Sequence, residues 1–141
     1  MSKVKVIYWS ATGNTEAMAK AVAEGVNEAG GEAELLFVTQ VNPEDIKDDA
    51  AFAIGCPAMG AEVLEEGDVE PFVTEIEGLI SGKKVALFGS YGWGDGQWMR
   101  DWEERMTGAG AVVINGEGLI CQEAPDDDAI DQCKELGKQL V

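Results

Sequence analysis

The sequence predicts an α/β fold: a three-layer α/β/α sandwich around a five-stranded parallel sheet. Three observations predict it. Short apolar runs of strand length alternate with helical periodicity down the whole chain. Glycine and serine–glycine steps punctuate the alternation. The 141 residues, 45% of them hydrophobic, suit one ordinary core, so residues 1–141 read as a single domain.

The elements follow in order. Residues 4–9 form an apolar first strand. Met18, Val22 and Val26 fall four apart among alanines, which predicts a helix from Asn14 to about Glu28, stopped by Gly30-Gly31. Residues 33–38 read as the second strand, and Asn42-Pro43-Glu44-Asp45 as a short capped turn of helix. Residues 50–56 are a short apolar run, expected of a strand covered on both faces. After an aperiodic loop (57–68), a helix spans about 69–80 and ends at Ser81-Gly82. Residues 84–89 make the fourth strand, 90–97 a glycine-rich loop, and 98–107 a helix. The last strand starts at 111–114 and continues to about 120 after a break at Gly116. A closing helix covers 125–140, with acids at its entry that suit the positive end of a helix dipole.

Right-handed crossovers leave two leading topologies, a 2-1-3-4-5 strand order and a Rossmann-type half. In both, ligands bind beyond the carboxyl ends of the strands at the switch point. The loops after strands 1, 3 and 4 should therefore meet on one edge.

Composition excludes several function classes. There are 27 acids, 10 bases and no histidine, a net charge of −17. A polyanion repels nucleic acid and anionic membrane, so neither is an expected partner. Between Lys47 and Lys83 stand nine acids and no base: Asp48, Asp49, Glu62, Glu65, Glu66, Asp68, Glu70, Glu75 and Glu77. That run is either a solvated face or one that steers basic partners. Without histidine, serine–histidine and cysteine–histidine chemistry is absent. Cys56, Cys121 and Cys133 form no C-x-x-C pair, so no metal site is expected and the thiols should be reduced and mostly buried. No apolar run reaches the ~20 residues of a membrane span, and no signal peptide is visible, so the expected location is the cytoplasm.

Two groups of loop residues carry chemistry. Ser10-Ala11-Thr12-Gly13-Asn14-Thr15 links a strand to a helix. Helix N-termini offer unpaired amides and a positive dipole end, so anions bind there. Three hydroxyls and the Asn14 amide add donors, and Gly13 allows a tight curl. One such residue would signal only a helix cap. Four in six positions point to a phosphate site. The lysine of a Walker A loop is missing, so the site holds a phosphate without transferring it. The second group is aromatic. Ser90-Tyr91-Gly92-Trp93-Gly94-Asp95-Gly96-Gln97-Trp98 sets aromatics among glycines, with Trp93 read as a ligand-stacking ring and Trp98 as core. Pro57-Ala58-Met59-Gly60-Ala61-Glu62 reads as a turn in which Gly60 can take positive φ and Met59 can cover a ring face.

These three motifs together resemble those of the short-chain flavodoxins, most closely the clostridial type, and the likeness spans the chain. It implies the flavodoxin-like order 2-1-3-4-5, bound FMN, and electron transfer at low potential. By resemblance, Ser10, Thr12, Gly13, Asn14 and Thr15 hold the FMN phosphate, with Ala11 in the same cofactor-binding loop. Trp93 stacks on the outer ring face and Met59 lies on the inner one. Gly60 supplies a peptide that flips to accept from reduced flavin N5, and Glu62 accepts from flavin N3. Pro57, Ala58, Ser90, Tyr91, Gly92 and Gly96 complete the cofactor site. Ala11 stands where glycine is frequent, and Pro57 where some members carry a phosphate-contacting serine. The resemblance implies a monomeric carrier shuttling between semiquinone and hydroquinone, with basic-faced reductases and oxidoreductases that also use ferredoxin as partners. The alternative is a flavodoxin-fold FMN-dependent reductase, which needs a substrate pocket that short glycine-rich loops leave little room for. A response-regulator-like domain would need aspartates after strand 1, and Tyr8-Trp9-Ser10 supplies none.

Overall fold

Apolar side chains dominate the strands and draw them to the centre of the molecule. The computed structural model describes residues 3–60 and 62–141; Ala61, in the turn marked out by the sequence, lies outside them, as do Met1 and Ser2. The strands are β1 (Lys3–Tyr8), β2 (Glu32–Phe37), β3 (Ala51–Gly55), β4 (Lys84–Tyr91), β5 (Val112–Val113) and β6 (Leu119–Gln122). The helices are α1 (Asn14–Glu28), α2 (Val69–Ile76), α3 (Gln97–Gly108) and α4 (Asp127–Lys138). All pairings are parallel, in the order β2-β1-β3-β4-β5. This is the predicted 2-1-3-4-5 order and removes the Rossmann-type half.

The fifth sheet position is one strand in two pieces. β5 pairs with Lys84 and Val85, and β6 with residues 88–91 of the same strand. Between them Asn115 and Gly116 take φ of 66° and 75°, a kink that matches the break expected at Gly116. Two helix ends differ from expectation. α2 stops at Ile76, not 80, because Gly78 follows, a residue that weakens a helix by ~1 kcal/mol. α4 starts at Asp127, not Pro125, because the Asp126 carboxylate accepts from the Ala129 N–H at 2.8 Å and so caps it.

Alternation along the strands splits the core. Ile54 and Leu87 face α2 and α3, packing with Phe72, Trp98, Trp102 and Met106. Ala53, Ala86 and Phe88 face α1 and α4, meeting the Met18, Val22 and Val26 stripe with Cys133 and Leu136. The helices of this second layer touch backbone to backbone. A Cβ on Gly25 would lie 1.9 Å from the Lys134 carbonyl oxygen, and one on Gly137 would lie 2.0 Å from that of Val22. Lys134 and Lys138 reach across to Glu24 and Glu28 at 3.9 and 3.6 Å.

Because rigid backbone surrounds Gly137, Gly137→Ala forces α4 off α1. Its cost should be about 1–3 kcal/mol, the range of an overpacked core. Chemical denaturation measures this, and an unchanged midpoint would contradict the crossing described.

Candidate functional site

The carboxyl ends of β1, β3, β4 and β6 open on one cavity of about 530 Å³. Ala11, Thr12 and Asn14 line it from the first loop; Pro57, Ala58 and Met59 from the second; Ser90, Tyr91 and Gly92 from the third. The three loops expected to converge do so. No lysine or arginine is among the lining residues.

The first loop is built around Gly13. Its φ of 94° is left-handed, and its carbonyl accepts from the Ala17 N–H at 3.0 Å, which starts α1. The Gly13 N–H donates to Ser10 Oγ at 3.1 Å. The N–H groups of Thr12, Asn14, Thr15 and Glu16 have no acceptor among the described residues. They form a cluster of neutral donors at the positive end of α1. Thr15 behaves differently from its neighbours. It is buried, and its Oγ1 accepts from the Ser90 N–H at 3.3 Å, pinning this loop to β4.

In the second loop, Met59 and Val63 exchange backbone hydrogen bonds of 2.9 and 3.0 Å, so the turn between them is tight. Gly60 has φ of 44°, yet a Cβ there would meet nothing within 4 Å. Glycine is needed at this position for backbone freedom, not for space. Glu65 anchors the loop onward to α2. Its carboxylate accepts from the N–H groups of Gly67, Asp68 and Val69 at 2.7, 2.7 and 3.0 Å. Burial works to raise its pKa, and these three amides outweigh it and hold the carboxyl below its ordinary range.

The third loop presents Trp93 to solvent at 66% exposure, a large ring left mostly uncovered. Trp98 is core, as expected; its Nε1 donates to the Cys56 carbonyl at 3.1 Å. Tyr91 leans against it, ring centroids 5.7 Å apart. The Glu62 carboxylate reaches this loop and accepts from the N–H groups of Gly96 and Gln97 at 3.1 and 3.0 Å.

Of the expected site residues, Ala11, Thr12, Asn14, Pro57, Ala58, Met59, Ser90, Tyr91 and Gly92 line the cavity. Ser10, Gly13 and Thr15 shape the loop behind it, and Gly60, Glu62, Trp93 and Gly96 lie beyond its lining. A fourth loop was missed. Glu123 and Ala124, after β6, complete the wall. Glu123 takes φ of 57°, donates its N–H to the Tyr91 carbonyl at 2.7 Å, and accepts from Ser90 Oγ at 2.6 Å. The rule that predicted the other three loops applies equally to the end of the fifth strand.

The acidic run is thinner in space than in sequence. Arg105 engages Glu70 at 2.8 Å and also Glu77, and Lys5 engages Asp49 at 2.7 Å. Glu66, Asp68 and Glu75 stay exposed.

A sequence profile described as Flavodoxin matches residues 6–137. A flavodoxin from Clostridium beijerinckii is 53% identical over 98% of this chain and 99% of its own length. The chain belongs to the flavodoxin family. A flavodoxin from Megasphaera elsdenii is 46% identical over 96% of both chains. The solution structure of the two-electron-reduced Megasphaera elsdenii flavodoxin superposes with a TM-score of 0.87 at 45% identity, covering 97% of each chain. As a flavodoxin, the chain is an FMN-binding electron-transfer protein, not an enzyme, and the reductase alternative has no support. Among the described residues, no helix is long and apolar enough to cross a membrane.

The thiols divide by burial. Burial pushes Cys56 and Cys133 up to about 12, and raises the half-buried Cys121 as well. Only the thiolate is reactive. With an aromatic disulfide reagent at mildly alkaline pH, Cys121 should therefore label first and the other two only on unfolding. Three equal labelling rates in the folded protein would contradict this.

Proposed function

We propose that this domain is a low-potential, one-electron carrier in which the cavity holds FMN non-covalently and each expected loop residue takes a defined part. The observation that carries the reading is the unpaired amide cluster at the start of α1, at the rim of a cavity whose lining residue Gly92 is followed by the mostly exposed Trp93. These residues fit FMN: neutral donors for a phosphate at one end, a free aromatic face for a flat ring at the other. When bound, FMN accepts and returns electrons one at a time.

The protein's part is to bind, orient and tune. Amides of residues 12–16, with the Thr12 hydroxyl and Asn14 amide, hold the phosphate. Trp93 and Met59 cover the two faces of the ring and exclude water from it. Pro57, Ala58, Ser90, Tyr91 and Gly92 set the cavity wall, and the Tyr91 and Gly92 amides serve the pyrimidine end. Gly60 offers its carbonyl oxygen to a proton on ring N5, since its positive φ lets the peptide turn over at low strain. The site adds no cation, and the chain carries −17 overall, so extra negative charge on the ring is disfavoured and the potential is low. Exposed Glu66, Asp68 and Glu75 then steer basic faces of redox partners toward the ring edge. The same charge opposes self-association, so the carrier works as a monomer. Its free cysteines suit the reducing cytoplasm.

Reconstitution tests the reading. Ligand-free protein should take up FMN with one-to-one stoichiometry and quench Trp93 fluorescence; protein that takes up none would refute it. In loaded Gly60→Ala, the gap between the first and second one-electron potentials should narrow by about 1 kcal/mol, the value of one hydrogen bond with its turn strain. Spectroelectrochemistry reads that gap. An unchanged value removes Gly60 from its role.

A further inference from the structure

α3 begins without a cap of its own. Its N-cap is Gly96, which has no side chain, and its first turn contains no acid. Helix starts of this kind leave N–H groups unpaired at a positive dipole end. The nearby Asp95 carboxylate could serve, but Arg100 holds it at 2.9 Å and holds the Asp95 carbonyl at 3.0 Å. The cap comes instead from 34 residues away. Glu62 Oε1 accepts from both the Gly96 and Gln97 N–H groups.

Backbone geometry on both sides is arranged around this contact. Glu62 has φ of 55°, an uncommon conformation for a residue with a side chain and one with an energetic cost. Opposite it, a Cβ on Gly94 would lie 2.6–2.9 Å from all three carboxylate atoms, so a side chain there would displace the Glu62 carboxylate from this contact. Gly94 and Gly96 also hold φ of 89° and 92°.

We infer that Glu62 is a positioning residue: its carboxylate latches the Met59–Gly60 turn to the Trp93 loop by capping α3, independently of any contact with the ring. The two loops that cover opposite ring faces are then one mechanical unit. One oxygen of Glu62 is committed to the protein, and the other stays available to the ring. The spacing between Met59 and Trp93 is set before FMN arrives, and a rearrangement at Gly60 is felt at Trp93 through this link. The consequence for FMN rests on the proposed function; the latch itself does not.

Amide hydrogen exchange on the FMN-free protein tests the latch. In Glu62→Ala, the Gly96 and Gln97 amides should exchange about 10-fold faster or more, as expected for loss of a charge-assisted hydrogen bond. Glu62→Gln keeps an oxygen acceptor without the charge, and its two amides should exchange about 3-fold faster. The Val85 and Leu87 amides of the central strand should not change in either variant. Folded Glu62→Ala with wild-type exchange at Gly96 and Gln97 overturns the proposal, even if its FMN affinity falls, because that pattern means a ring contact alone. Should Glu62→Ala fail to fold, unchanged exchange in Glu62→Gln overturns it equally. Failure of the wild type to take up FMN would sink the functional reading and leave these exchange rates untouched.

Discussion

A cluster of backbone amides at the start of α1 with no acceptor among the described residues, beside a cavity lined by no lysine or arginine, is the constraint around which this molecule is arranged. Holding a phosphate with lysine or arginine is simpler, since one cation supplies both charge and hydrogen bonds. A phosphate held by the backbone amides at the start of α1 instead would depend on everything that keeps those amides in place. Gly13 turns the chain, Ser10 ties the turn, and buried Thr15 fastens it to Ser90 on β4. Ser90 in turn fastens Glu123. One chain of hydrogen bonds thus runs across the cavity rim, from the loop after β1 to the loop after β6.

The packing beneath explains why that rim is rigid. α1 is held against α4 by backbone contact at Gly25 and Gly137, so the helix whose N-terminus faces the cavity has little freedom to slide. On the other face, Trp98 plugs the core under the aromatic loop and donates to the Cys56 carbonyl at the end of the third strand. The first loop is therefore set by helix packing, and the second and third by a shared tryptophan and by Glu62. At Gly60, by contrast, φ is positive and a side chain would meet nothing within 4 Å, so packing does not hold this turn.

Much of this was legible in the sequence because period and punctuation are local signals. Alternating apolar runs marked the strands and left two strand orders open, between which the family resemblance pointed to the one observed; the Met18, Val22, Val26 stripe lies in the core where its spacing put it. Ser10 and Thr12 before α1, with Asn14 and Thr15 in its first turn, marked out the loop whose amides have no acceptor among the described residues. Long-range contacts were less legible. Nothing in Glu123 distinguishes a cavity wall from a surface acid until its positive φ and its bonds to Tyr91 and Ser90 are known. Thr15 was grouped with the phosphate donors, and nothing local showed that its hydroxyl oxygen also accepts from the Ser90 N–H, 75 residues away. Glu62 had a role by resemblance to a family but no visible tie to Gly96. The acidic run counted charges that Arg105 and Lys5 partly neutralise from other elements.

Recognition of the phosphate by neutral amides, not by a cation, is tested by comparing the affinity of the FMN-free protein for FMN and for riboflavin at low and at high salt. FMN should bind about 100-fold tighter, the value of two charge-assisted hydrogen bonds, with a preference that salt barely changes. Equal affinity for the two, or a preference that collapses as salt rises, would rule out recognition by these amides.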